Sequence, residues 1–328
     1  PLSKEMEEKL ALFCDIDKEA VIQAVDAESI YEVPLTLKSE GLDDIIVEKL
    51  KLDCHEAQLE EWKEIVRKIK EPRACVQVAL VGKYVELHDA YLSVREALYH
   101  ATLAHGWDLD VRYISSEALE RGRDWDALAD VAGIVVPGGF GERGVEGKIQ
   151  AARYAREHQV PYLGLCLGLQ VMIIELARHT LGSDEPNSTE FDPRTAYPVI
   201  DLMAEQRSVA DMGGTMRLGL YPCQLVPGTQ TARAYGVPLV HERHRHRFEV
   251  NNAYRSMLTE AGLVFSGLSP DGRLVETAEL AGHPFMMGSQ FHPEFKSRPD
   301  RPHPMFYAFV GACVERYQQC GGAQQKES

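Results

Sequence analysis

The stretch Pro161-Tyr-Leu-Gly-Leu-Cys-Leu-Gly-Leu-Gln170 limits the fold more than any other part of the chain. Residues 160–165 form a short apolar run that reads as a buried strand, and residues 167–179 carry apolar positions at helical spacing. Cys166 therefore falls on a strand-to-helix corner. Gly164 and Gly168 flank it as Gly-x-Cys-x-Gly, the cysteine counterpart of a nucleophile elbow, where small neighbours allow a tight turn that pushes the side chain into open space. The N-terminus of the following helix adds free N–H groups and positive potential, which favour an anionic sulfur. A cysteine among apolar residues is ordinarily a buried structural residue. The two glycines and the strand–helix setting make Cys166 a candidate nucleophile instead.

Around this corner the pattern alternates. Strands are expected at 76–81, 109–114 and 132–136, the last ending at Pro137-Gly138-Gly139, with helices at 90–105 and 145–158. Such alternation predicts an α/β fold with a mostly parallel central sheet and helices on both faces. Ligands of such sheets sit at the carboxyl ends of the strands, where Gly139 and Cys166 both fall. Residues 1–72 read differently, as a short helical segment with helices near 3–13, 18–24, 41–50 and 56–69, the last capped by Asp53 or His55, and an extended piece at 29–34. The helix at 56–69 keeps its apolar positions on one face and runs into Glu71-Pro72-Arg73, a domain boundary. The expected division is 1–72, a main domain at 73–320, and a disordered tail at 321–328.

Gly139-Phe-Gly-Glu-Arg-Gly144 matches G-x-G-x-x-G behind a strand and ahead of a helix. A dinucleotide site would need an acidic residue at the end of the next strand, and that strand ends in Cys166 instead. A phosphate-binding loop is excluded as well, since Ile149 stands where a magnesium-binding Ser or Thr would be. The glycines are better read as letting backbone approach a reacting group, with the N–H groups of Gly139 and Leu167 forming an oxyanion hole. Ser289-Gln-Phe-His-Pro-Glu-Phe295 places His292 and Glu294 two positions apart, on one side of an extended segment. Glu294 can then hold the imidazole of His292, giving a Cys-His-Glu triad.

His241, His244 and His246 raise the question of a metal. In an extended segment His244 and His246 share one face while Arg243, Arg245 and Arg247 crowd the other, and three guanidinium groups oppose a dication. No metal is expected, and carboxylate binding by Arg247 is the stronger reading. The formal net charge of −15 argues against a nucleic-acid surface. Seven cysteines without a CxxC pair or a disulfide framework fit a reducing cytoplasm. No stretch reaches the length of a membrane span, and no signal peptide is evident.

Pro-Gly-Gly at 137–139, Gly-Leu-Cys-Leu-Gly-Leu-Gln at 164–170 and Gln-Phe-His-Pro-Glu at 290–294 resemble the class I glutamine amidotransferases, the triad glutaminases of flavodoxin-like fold. Longer motifs resemble the CTP synthase family: the run from Val136 to Lys148, Asn187-Ser-Thr-Glu-Phe191, Gly213-Gly-Thr-Met-Arg-Leu-Gly219 and the run from Glu242 to Asn252. Ser29-Ile-Tyr-Glu-Val-Pro34 and Lys38-Ser-Glu-Gly-Leu-Asp-Asp44 carry the likeness into the first 72 residues.

The resemblance implies that Cys166 attacks the amide carbon of L-glutamine, that His292 shuttles the proton to departing ammonia, and that Glu294 orients His292. It implies glutamine contacts at Gly139, Leu167, Gly168, Leu169, Gln170, Glu190 and Arg247. Glu190 suits the substrate ammonium and Arg247 its carboxylate. Residues 140–148 resemble a lid that responds to GTP as an allosteric activator, with Phe140 stacking on a base and Arg143 nearby, although the hairpin at 205–212 is shorter than in the family. Members of the family also carry an amidoligase (synthetase) domain that uses ATP and Mg2+ to aminate UTP, and they assemble as tetramers. Residues 1–72 resemble only the end of that domain and its linker, so the chain needs no cofactor of its own and relies on the missing half for CTP formation. Two other readings stay open: a gamma-glutamyl peptidase of the same fold, which would not need the Glu190 and Arg247 clamp, and a chain serving chiefly as an assembly module.

Overall fold

The structure, a computed structural model, describes residues 1–202 and 216–324, with 321–324 described by backbone alone. The shortened hairpin at 205–212 and the Gly213-Gly-Thr opening of its neighbouring motif lie outside the described residues, as do residues 325–328. The chain divides into two compact units, Pro1–Pro72 and Arg73–Ser328.

The first unit is helical, with α1 (Lys4–Cys14), α2 (Val33–Ser39), α3 (Leu42–Leu50) and α4 (Glu60–Lys70). Ser3 caps α1 by accepting from Met6 N at 3.3 Å, which satisfies one of the first-turn donors. Trp62 of α4 donates from Nε1 to Tyr31 O at 2.7 Å. Three expectations are corrected here. The piece at 29–34 is a turn of 3-10 helix running into α2, not an extended segment; Ser29 Oγ accepts from Tyr31 N and turns the chain at once. The helix expected at 18–24 is a single turn, Lys18–Ala20. The helix expected from 56 starts at Glu60 behind Leu59, so neither Asp53 nor His55 caps it.

The second unit is built on a nine-stranded sheet. Its strands are β1 (Cys75–Gly82), β2 (Asp108–Ser115), β3 (Gly133–Val136), β4 (Tyr162–Leu165), β7 (Arg217–Leu225), β8 (Leu239–His246), β10 (Leu263–Leu268), β11 (Val275–Leu280) and β12 (Met286–Ser289). A second sheet joins β5 (Pro186–Ser188), β6 (Tyr197–Leu202) and β9 (Phe248–Val250) in the order β5-β6-β9. The large sheet runs β2-β1-β3-β4-β12-β11-β10-β7-β8, parallel from β2 to β12 and antiparallel from β12 to β8. The parallel half is the expected central sheet. The antiparallel wing follows from connection length, because the short links β10–β11 and β11–β12 cannot hold the crossover that a parallel return requires.

Side-chain alternation divides the core. Val76, Val78 and Leu80 of β1 face the α5 (Leu92–Ala104) and α11 (Pro304–Gln324) side, with Val94, Leu98, Phe306 and Phe309. Ala79 and Val81 face the other side, with Ile149 and Ala152 of α7 (Val145–Glu157) and Val171, Ile173 and Ile174 of α8 (Leu167–Leu181). Both faces are therefore covered, as a sheet with apolar side chains on each side demands. The last helix runs to Gln324, so the stretch expected as a tail from 321 begins inside it.

Candidate active site

Cys166 occupies the corner between β4 and α8 with φ 52 and ψ −100, a backbone region that residues with a β-carbon rarely enter. The flanking glycines are required by contact. A β-carbon on Gly164 would lie 2.5 Å from Gly168 O, and one on Gly168 would lie 2.1 Å from Val136 O. The Cys166 carbonyl accepts from Leu169 N at 3.1 Å and Gln170 N at 3.3 Å, which starts α8 directly after Cys166.

β12 is the parallel neighbour of β4, with Gly288 opposite Gly164 and Ser289 opposite Leu165. Cys166 N donates to Ser289 O at 2.6 Å, so the two strands end side by side. The chain leaving β12 therefore delivers His292 and Glu294 beside Cys166. Pro293 restricts the residue before it to an extended conformation, and His292 sits at φ −112, ψ 83, with its N–H donating to Arg243 O at 2.8 Å. His292 Nδ1 donates to Glu294 Oε1 at 2.8 Å, and Nε2 is buried without a hydrogen-bond partner. Gly138 packs against both residues: a β-carbon there would meet His292 Cε1 at 3.0 Å and Cys166 Cβ at 3.6 Å. Burial opposes a charge on His292. Glu294, by its hydrogen bond to Nδ1, and the negative charges of Cys166 and Glu294 outweigh it and raise the imidazole to about 10.

A small cavity opens at Cys166, lined also by Gly139, Phe140, Gln170, Glu190, His246, Arg247 and Phe248. Burial pushes the Glu190 carboxyl up from its ordinary value, against the Gly141 N–H that donates to Oε1 at 2.9 Å and the nearby charges of Lys83 and Arg247. Arg247 Nε is buried without a partner. The N–H groups of Gly139 and Leu167 have no acceptor among the described residues. Two unpaired backbone donors near Cys166, together with one acid and one guanidinium in the same cavity, suit a zwitterionic amide substrate.

The Leu169 side chain lies in the core against Gly288, and neither Gly168 nor Leu167 lines the cavity, so these residues face it through backbone at most. Phe140 is exposed, with the Arg245 guanidinium 6.0 Å from its ring centre. Arg143 pairs with Glu117 and lies over the Tyr84 ring at 5.1 Å.

The histidine row alternates as expected, His244 and His246 buried and Arg243 and Arg245 exposed, but β8 ends at His246 and Arg247 leaves the row to reach the cavity. Carboxylates do stand beside these histidines: His244 Nε2 is 3.5 Å from Glu276 Oε2, and His246 Nδ1 is 3.6 Å from Glu249 Oε1. Arg217 bonds both acids, at 3.0 Å and 3.2 Å, and occupies the place a dication would need. No metal-ligating group of three or more residues is found among the described residues, nor is there a helix long and apolar enough to cross a membrane.

Gln290 was not singled out from sequence. Its Nε2 lies 3.7 Å from Cys166 Sγ, and its Oε1 accepts from Gln170 Nε2 at 3.2 Å. Its place in the Gln-Phe-His-Pro-Glu stretch was the available signal.

Comparison with known proteins bears on this site. The family model for class-I glutamine amidotransferases matches residues 86–312, and that for the CTP synthase N-terminus matches residues 1–52. The chain is 60% identical over 316 residues to a CTP synthase of Moorella thermoacetica, covering 96% of this chain and 59% of that one. A CTP synthase of Carboxydothermus hydrogenoformans is 60% identical over 315 residues, with 96% and 59% covered. The chain thus spans about three fifths of the length of the curated relatives it matches. Among solved structures, the glutaminase domain of Trypanosoma brucei CTPS with bound acivicin is 39% identical at a TM-score of 0.68, covering 73% of this chain and 94% of that one.

Proposed function

The chain belongs to the class-I glutamine amidotransferases, in their CTP synthase branch, and on that basis we propose that it hydrolyses L-glutamine to supply ammonia for the amination of UTP to CTP. The observation that carries the reading is the pairing of parallel β4 and β12, which ends with Cys166 beside an imidazole already bonded to a carboxylate.

In the proposed reaction the Cys166 sulfur attacks the side-chain amide carbon of glutamine. The carbonyl electrons move onto oxygen, facing the N–H groups of Gly139 and Leu167. His292, protonated through the charges around it, gives its proton to the amide nitrogen as the carbon–nitrogen bond breaks and ammonia departs. The remaining thioester is hydrolysed by a water molecule that His292 deprotonates, releasing glutamate and restoring the thiolate–imidazolium pair. Glu294 keeps Nδ1 occupied so that Nε2 faces the reaction. Glu190 receives the substrate ammonium, and Arg247 its carboxylate. The ammonia then serves an ATP- and Mg2+-dependent synthetase domain of the kind that the family resemblance implies, and GTP acts at the lid through Phe140 and Arg143.

The test is ammonia release from glutamine by the chain, with and without GTP, combined with labelling of Cys166 by a glutamine-like diazo ketone read by intact mass. Release that stops in proportion to labelling is the expected result. Absence of both release and labelling would overturn the reading.

A further inference from the structure

The stretch 137–141, which carries the Gly139 N–H, has no regular secondary structure of its own. Two lysines from different elements hold it. Lys83, directly after β1, donates from Nζ to Phe140 O at 2.7 Å and to Gly141 O at 2.7 Å. Lys148, in α7, donates from Nζ to Pro137 O at 3.0 Å, and its Nζ lies 3.5 Å from where a β-carbon on Gly139 would be.

Lys148 is fully buried, with 0% of its surface exposed, Lys83 is 9% exposed, and neither forms an ion pair among the described residues. Buried lysine is costly without an anion. Burial accordingly pushes Lys148 down to about 7, aided by repulsion from Lys83 and opposed by Cys166. An apolar side chain would fill either space without that cost. What the lysines obtain is three carbonyl oxygens on either side of Gly138-Gly139, the pair most free to rotate. The planar peptide that carries the Gly139 N–H has Gly138 O as its carbonyl, which neither lysine holds; fixing the carbonyls at 137 and at 140 and 141 instead pins both ends of the short span within which that peptide can rotate.

We propose that Lys83 and Lys148 are positioning residues for the oxyanion hole, clamping the carbonyls of Pro137, Phe140 and Gly141 so that the Gly139 N–H is held toward Cys166. The inference rests on the glutaminase reading and deepens it. The clamp acts on the transition state rather than on the thiol, which separates it from a merely structural role.

The experiment compares the full chain with Lys83→Met and Lys148→Met in glutamine hydrolysis, and measures alkylation at the Cys166 peptide by iodoacetamide, a displacement that needs no oxyanion hole. Reading that peptide alone excludes the exposed Cys14, Cys54, Cys75 and Cys320. For Lys83→Met, kcat is expected to fall about tenfold or more, toward the 10²–10³ typical of a lost oxyanion-hole donor. KM and the alkylation rate should stay within about threefold, as expected when only transition-state binding is lost. Unchanged kcat, or alkylation falling in step with it, overturns the clamp. If Lys83→Met does not fold, Lys148→Met is judged on kcat and KM by the same limits. Absence of hydrolysis by the unsubstituted chain counts against the glutaminase reading alone. The clamp is then decided by amide exchange across 137–142, which should quicken about tenfold in the substituted chain if the lysines order the segment; unchanged exchange overturns it.

Discussion

Cys166 holds φ 52 and ψ −100, a conformation that costs a residue with a β-carbon about 1–3 kcal/mol. Glycine escapes most of that cost, so Cys166→Gly should be more stable than Cys166→Ala by about 1 kcal/mol in urea unfolding, after allowing for the extra freedom of unfolded glycine. Neither variant should hydrolyse glutamine. Equal stabilities would mean that no strain is stored at the elbow. At His292 the sign of the effect can be followed through its neighbours. Glu294 stabilises the imidazolium, so Glu294→Gln lowers the pKa from about 10 and should draw the alkaline limb of kcat/KM toward neutral pH by roughly one unit or more. A limb that stays in place would detach Glu294 from this role. Sequence named these residues because a cysteine between two glycines and a His-x-Glu pair are local patterns. It gave no role to Lys83 or Lys148, since a lysine after a strand or in a helix ordinarily reaches solvent.

At the scale of elements, the site depends on how closely β3, β4, β12 and the start of α8 can approach. Gly168 lies against the last carbonyl of β3, and Gly288 of β12 lies 3.0 Å, by its missing β-carbon, from Leu169 Cα. Gly168→Ala places a methyl group 2.1 Å from Val136 O, a contact that only movement of α8 or β3 relieves. Chemical denaturation should show a loss at or above the roughly 1–3 kcal/mol of ordinary overpacking, with glutaminase activity lost alongside. A variant of native stability would show that the elbow has slack. Periodicity revealed the alternating strands and helices from 76 to 179, including the buried helix after Cys166. It could not assign neighbours: β4 and β12 are adjacent although Gln290 and Cys166 are 124 positions apart. The antiparallel wing was missed for the same reason, because pairing direction depends on how each connection is routed.

For the molecule as a whole, the site draws every residue named here from the second unit, and that unit has its own two-sided core. A chain trimmed to 73–328 should therefore unfold cooperatively and keep diazo ketone labelling at Cys166; loss of labelling would show that residues 1–72 support the site. Global stability should carry the mark of the buried Arg217 network. Burial raises Glu249 from 4.5 to about 8, with Glu276 adding repulsion and Arg217 opposing. A raised acid contributes stability in full below its unfolded value and loses it as pH rises through the folded value. His244 and His246, depressed to about 2 and 3 chiefly by burial, have the opposite slope, confined below their ordinary 6.5. His292, raised to about 10, adds to the loss above pH 6.5, while Lys148, lowered to about 7, opposes it from there. Thermal stability should thus decline between about pH 6.5 and 8, and Glu249→Gln should make that decline shallower; an unaltered slope would place the titration elsewhere. The sequence by itself determined the alternating strands and helices between 76 and 179, where the chain must turn on glycine beside Cys166, and which residue types stand ready for thiol chemistry, because each of these is set within a few positions along the chain. Strand order, the antiparallel wing, the escape of Arg247 from its row, the placement of Gln290 and the two lysines behind the glycines were decided only by the tertiary structure. The physical reason is that such contacts join residues whose separation along the chain carries no information about their distance in space.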